Sequence, residues 1–182
     1  MKLGGVRHAA LGGVVIAALA TGSIAVASDN GSDEGQTVWN VKLTGYQEDP
    51  LSLSTTGTGT VRVRIDDNAQ ELSYELTFGN LEAPALQSHI HFGGRAQSGG
   101  IAVFLCTNLG NGPAGTPACP SAGGTVTGTL GPAAVIGPAG QGIGAGEFAE
   151  LVAAIRNGTA YANVHSAKYP GGEIRGQLDH EH

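Results

Sequence analysis

Basic charge is scarce in this sequence: nine lysines and arginines stand against fifteen aspartates and glutamates in 182 residues. The nine are scattered rather than clustered, so no basic stripe exists to neutralise a phosphate backbone, and no nucleic-acid partner is expected. The same scarcity argues against an anionic membrane surface. Beyond the N-terminal stretch there is no long apolar run, so no membrane insertion is expected either. Cysteine is down to two residues, Cys106 and Cys119, at a spacing far from the Cys-x-x-Cys of redox and zinc pairs. No Gly-x-Ser-x-Gly elbow occurs, and adjacent carboxylates such as Asp66-Asp67 fall in turns. Serine-hydrolase and glycosidase chemistry therefore finds no support. Glycine is plentiful, but no glycine-rich stretch runs into Lys-Ser or Lys-Thr ahead of a helix, so these stretches read as turns and not as phosphate cradles.

The beginning of the chain sets the expected compartment. Lys2 and Arg7 precede an apolar run from Ala9 to Ala20, and Ala25-Val26-Ala27 supplies the small-x-small pattern of a signal-peptidase site. Residues 1–27 are predicted to be a signal peptide, too short for a stable span. An acidic flexible linker (28–36), a β domain (37–178) and a flexible tail (179–182) carrying His180 and His182 follow. No cysteine at the cleavage site offers a lipid anchor, so the mature protein is expected to be secreted. Removing 27 of 182 residues leaves 155, a length suited to one domain, with seven basic against fifteen acidic residues, a balance of −8. In an oxidising compartment Cys106 and Cys119 are expected to form a disulfide across the Gly/Pro/Asn-rich loop Thr107–Ala118.

Period then gives the fold class. Val61, Val63 and Ile65 alternate with Arg62 and Arg64; Leu72, Tyr74, Leu76 and Phe78 alternate with Ser73, Glu75 and Thr77; Asp66 to Gln70 lie between. That pattern predicts a β-hairpin. Further strands are predicted at Val38–Thr44, Ile101–Leu105, Thr125–Leu130, Ala160–His165 and Glu173–Leu178, separated by turn-forming residues. Phe148, Leu151, Val152 and Ile155 recur at helical spacing before Asn157-Gly158, which predicts one short helix acting as a lid. The expected class is all-β, an antiparallel Greek-key-like sandwich or barrel with one short helix.

Three histidines carry most of the functional information. His89 and His91 sit in Ser88-His89-Ile90-His91-Phe92, and His165 ends Tyr161-Ala162-Asn163-Val164-His165. Side chains alternate across a strand, so the ends of His-x-His leave one face while Ile90 leaves the other. The second segment places Tyr161, Asn163 and His165 in one polar row. If the two strands are neighbours, three imidazoles converge on the outer face as a site for copper or zinc with an open coordination position. Asn163 and Glu173 are candidates for orienting imidazole N–H groups. The competing expectation is that these are ordinary polar residues of a solvated face, with Arg175 in a surface ion pair. In that case the domain is a metal-free module that binds an extracellular protein or a cell-wall component.

Two family resemblances bear on these residues. Leu43-Thr44-Gly45-Tyr46-Gln47-Glu48-Asp49-Pro50, the Thr56–Gly59 run, Ser88-His89-Ile90-His91-Phe92-Gly93 and the long segment Asn163 to Gln177 resemble the CHRD domain, the module first named in chordin. The resemblance covers about Val38 to Leu178 and implies an extracytoplasmic β-rich domain. The chain departs from the common pattern at Asp49 and in its cysteine-bearing insertion. The order His-x-His, a later Val-His, a Gly-rich turn and an Arg also resembles the copper half of Cu/Zn superoxide dismutases, although a further imidazole and a zinc loop are missing. That resemblance implies His89, His91 and His165 as copper ligands, Arg175 as an anion-guiding cation, and redox activity.

Overall fold

Val61, Val63 and Ile65 of β2 (Thr58–Asp66) lie directly opposite Leu76, Tyr74 and Leu72 of β3 (Glu71–Gly79) in an antiparallel ladder. All six are buried. Period-2 alternation makes that outcome compulsory: only one register puts both apolar rows on the same side of the hairpin. Burying each aliphatic side chain contributes about 1.5–3 kcal/mol, so a slip by one residue would forfeit several such terms together.

The computed structural model describes Met1, Gly4 and residues 36–179. Most of the expected signal peptide and linker, together with His180 and His182, lies outside the described residues. The remaining elements are β1 (Gln36–Thr44), β4 (Ala85–Phe92), β5 (Gly100–Thr107), β6 (Gly124–Leu130), helix α1 (Phe148–Arg156), β7 (Ala160–Ser166) and β8 (Ile174–Gln177). Among the described residues eight strands form one antiparallel sheet in the order β5-β4-β7-β8-β1-β2-β3-β6. Its edge strands β5 and β6 come into contact, giving a nearly closed barrel. Across that seam the Tyr74 hydroxyl donates to the Leu105 carbonyl at 2.6 Å. The expected all-β class with one helix is the one observed.

The core fills the inside of this curved sheet, with Trp39, Leu43, Ile90, Leu105, Val164, Ile174 and Leu178 all at most 1% exposed. Gly176 lets β8 reach β1: a Cβ there would lie 2.5 Å from the Lys42 carbonyl oxygen and 2.6 Å from a Val41 methyl. Helix α1 buries Phe148, Leu151, Val152 and Ile155, and the chain leaves it through Gly158 at φ +64°. Among the described residues no helix is long and apolar enough to cross a membrane.

Cys106 and Cys119 form a disulfide, as expected from their context. It ties the end of β5 to a loop that Asn108 also pins, through hydrogen bonds with the Ala85 and Cys119 carbonyls and the Cys119 amide. Cross-linking a loop with a sequence separation of 13 contributes about 3 kcal/mol in the chain-entropy account. The Cys106→Ala/Cys119→Ala protein is therefore expected to lose about that much stability in a guanidinium melt while keeping its β-sheet circular dichroism.

Candidate metal centre

Strand pairing creates the histidine cluster. In the β4–β7 ladder Gln87 faces His165, His89 faces Asn163 and His91 faces Tyr161, so His165 is the diagonal neighbour of His89. Alternation sends the side chains of His89, His91, Tyr161, Asn163 and His165 to the face opposite Ile90, Ala162 and Val164. On its other side β4 pairs with β5, where Leu105 and Ala102 are extra residues at two register shifts. Such bulges re-aim neighbouring side chains.

The rings form a tight group. Centroids lie 5.3 Å apart for His89 and His91, 4.9 Å for His89 and His165, and 6.2 Å for His91 and His165. One nitrogen from each can be chosen so that all three lie within 4.8 Å of one another. The expectation of a solvated outer face is corrected here: His89, His91 and His165 are 0, 8 and 6% exposed. The cause is a cover of loops hydrogen-bonded to the polar row. Segment 93–99 reaches His91, Arg175 and Gln177, the turn 169–172 reaches His165, and Gln47 of the turn after β1 accepts from the Gln177 amide.

Hydrogen bonds fix which nitrogen of each ring is protonated. A carbonyl oxygen only accepts, so His91 donates Nδ1–H to Gly99 (2.9 Å) and His165 donates Nδ1–H to Pro170 (2.9 Å). In the neutral rings both Nε2 atoms then carry lone pairs. His91 Nε2 is buried without a hydrogen-bond partner. His165 Nε2 lies 3.1 Å from His89 Nδ1, and His89 Nε2 is likewise buried and unpartnered. The Asn163 side-chain amide lies 3.0 Å from His165 Nε2, a contact that requires the amide to turn its NH2 group towards that lone pair. Buried acceptors without donors are costly, and His91, its Nδ1–H held by a carbonyl and its Nε2 lone pair unpartnered, has the arrangement that suits a metal ion; an ion on His165 Nε2 would take the place of the His89 and Asn163 contacts.

Burial keeps all three rings uncharged. It pushes His89 down to about 2, with its neighbours His165 and His91 adding to the effect. His91 is pushed down to about 4 by burial, against the opposing pull of the Gly99 carbonyl. His165 is lowered by burial, partly offset by Pro170. Each folded-state value lies below the unfolded one, so at acid pH the unfolded chain binds protons that the native rings refuse. Stability is then complete above pH 6.5 and falls as the pH drops below it. Glu48, pushed up to about 7 by burial against the attraction of Arg175, has the opposite slope between 4.5 and 7. In the metal-free Glu48→Gln protein, His89 and His91 together are expected to remove roughly 3 kcal/mol between pH 7.5 and 5.5. Urea melts at the two values check this; a flat profile would mean that the rings are solvated.

Aromatic contacts complete the site. Tyr161 stacks on His91 with centroids 4.8 Å apart and planes 3° from parallel, while Phe104 meets His89 edge-on at 4.4 Å. Arg175, the anion-guiding cation implied by the dismutase resemblance, lies over the face of Tyr161 at 3.6 Å, while His91 stacks on the same ring. Glu173 hydrogen-bonds elsewhere: its carboxylate accepts from Thr55 Oγ1 (2.6 Å) and the Glu82 amide (2.8 Å). Sequence reasoning did not single out Tyr161, Phe104 or the Gly99 and Pro170 carbonyls as parts of the site. Only Tyr161 carried a signal, its place in the polar row with Asn163 and His165.

No curated protein and no solved structure matches this chain. The family model for the CHRD domain matches residues 39–178, from Trp39 in β1 to Leu178 after β8, so that most of β1, all of β2 to β8 and the histidine cluster fall within it, and the chain belongs to the CHRD domain family.

Proposed function

We propose that this CHRD-domain protein is exported and holds one transition-metal ion, copper in preference to zinc, on His89, His91 and His165, with redox activity at that ion. The observation that carries this reading is the pair of imidazoles whose Nδ1–H groups are held by the Gly99 and Pro170 carbonyls, inside a buried trio with ligand atoms within 4.8 Å of one another. Three neutral nitrogen donors suit copper or zinc and retain an open coordination position. Copper bound there supplies one-electron chemistry. The protein's own contribution is positional. Gly99 and Pro170 orient two rings, Tyr161 holds the plane of His91, and Phe104 shields His89 from water. Export is supported by the leader-like N-terminal pattern and by the Cys106–Cys119 bridge.

A second reading, a metal-free module presented to an extracellular protein or cell-wall partner, draws on Tyr46 and Leu51. These apolar side chains are 72 and 73% exposed after β1. Elemental analysis of untagged protein from its native compartment separates the two. One equivalent of copper supports the first, and folded protein without bound metal supports the second.

A further inference from the structure

Arg175 is 2% exposed, yet among the described residues it makes no ion pair, the pairs being Arg95–Asp179, Arg156–Asp67 and Lys168–Glu82. Its Nη2 donates to the Gly94 carbonyl at 2.8 Å and at 3.4 Å to Gln177 Oε1, a long contact. Nε and Nη1 donate to no described residue. One face of the guanidinium is closed by Tyr161. Nε and Nη1 are not sealed from solvent, so they are free to donate to a molecule in the adjoining cavity.

The guanidinium lines a cavity of about 180 Å³ shared with Tyr46, Glu48, Ser52, Arg95 and Gln177. That volume is well below the roughly 300–1,000 Å³ of pockets for drug-sized ligands. Arg95 is largely exposed and already paired with Asp179, which leaves Arg175 as the positive charge at the inner end, with Glu48 attracted to it but forming no ion pair. Glu48 Oε1 is buried there without a hydrogen-bond partner. An acidic neighbour disfavours a dianion, while in its neutral form it donates a hydrogen bond to a monoanion.

The geometry points to a second ligand site in this cavity, one that takes a small carboxylate monoanion of acetate size, with Arg175 as its cation and the buried Glu48 Oε1 beside it. Arginine donors match carboxylate oxygens and form the stronger, charge-assisted class of hydrogen bond. None of the three histidines lines this cavity, so the site does not depend on metal at the imidazoles.

Acetate titrated into the chelator-treated full chain at constant ionic strength, followed by the amide resonances of Gly94, Ala96 and Gln177, tests this. At pH 8, where Glu48 without ligand is mostly ionised, a saturable one-site shift is expected, weakened about tenfold or more in Arg175→Gln and tightened in Glu48→Gln, which cannot become an anion. Should Arg175→Gln fail to fold, the Glu48→Gln arm decides the matter, since unchanged or weaker binding there contradicts the site. Shifts that never saturate, equal binding in a folded Arg175→Gln, shifts that need copper, or tighter binding of inorganic phosphate would each overturn the proposal. Metal analysis is a separate measurement, so failure here leaves the reading of the histidine cluster untouched.

Discussion

Replacing His91 with alanine is expected to weaken copper binding by about 10²–10³-fold. A structural metal site supplies roughly 10–16 kcal/mol over four ligands, so one ligand accounts for about 2.5–4 kcal/mol, which is two to three decades in affinity. His91 is the clearest ring to remove: its Nδ1–H is committed to Gly99 and its Nε2 is buried without another partner. In the metal-free protein the same change deletes a stacked ring from beside Tyr161 and removes an unsatisfied acceptor. These effects oppose one another, and the apo protein should remain folded. A competition titration against a chromophoric chelator, with a parallel apo melt, reads both quantities. Equal affinity in the folded variant would remove His91 from the coordination sphere.

The second large effect is expected at a residue that is no ligand. A Cβ on Gly99 would fall 1.7 Å from the Phe92 carbonyl oxygen and 2.5 Å from its carbon. Backbone cannot yield as a flexible side chain can, so Gly99→Ala must displace the segment 93–99. That segment supplies the carbonyl for His91 Nδ1 and the amide that donates to the Tyr161 hydroxyl at 3.1 Å. A stability loss of about 3 kcal/mol is expected from the overpacking, together with a 10–100-fold loss of copper affinity, roughly the cost of removing a partner that orients a ligand. A denaturant melt and a copper titration on the same preparation measure the two. Unchanged values for both would show that the loop is free to move and orients nothing.

The strands were legible in the sequence because their alternation has a physical cause that needs no partner. Val61-Arg62-Val63-Arg64-Ile65 can bury one face only as a strand, and it pairs as that pattern requires. The His-x-His spacing and the polar row of β7 were legible for the same reason. What alternation cannot give is the depth of that row. It separates His89 and His91 from Ile90, but whether the outer face meets water depends on loops whose contacts span most of the chain. Glu173 illustrates the limit: its partners Thr55 and Glu82 are 118 and 91 residues away in sequence, and no local pattern joins them. Likewise the extra residues Leu105 and Ala102 in β5 exist only relative to β4. Phe104 and the Gly99 and Pro170 carbonyls gave no local signal, since any residue offers a carbonyl and only its placement makes it a partner for a ring.

Copper(II) electron paramagnetic resonance on the full chain carrying His180→Ala and His182→Ala, so that the tail cannot contribute, decides whether the three imidazoles share one ion. The expected result is one equivalent of copper that survives dialysis and shows superhyperfine splitting from three imidazole nitrogens, reduced to two when His91 is also replaced. Copper that dialyses away, or a spectrum indifferent to His89, His91 and His165, would contradict it.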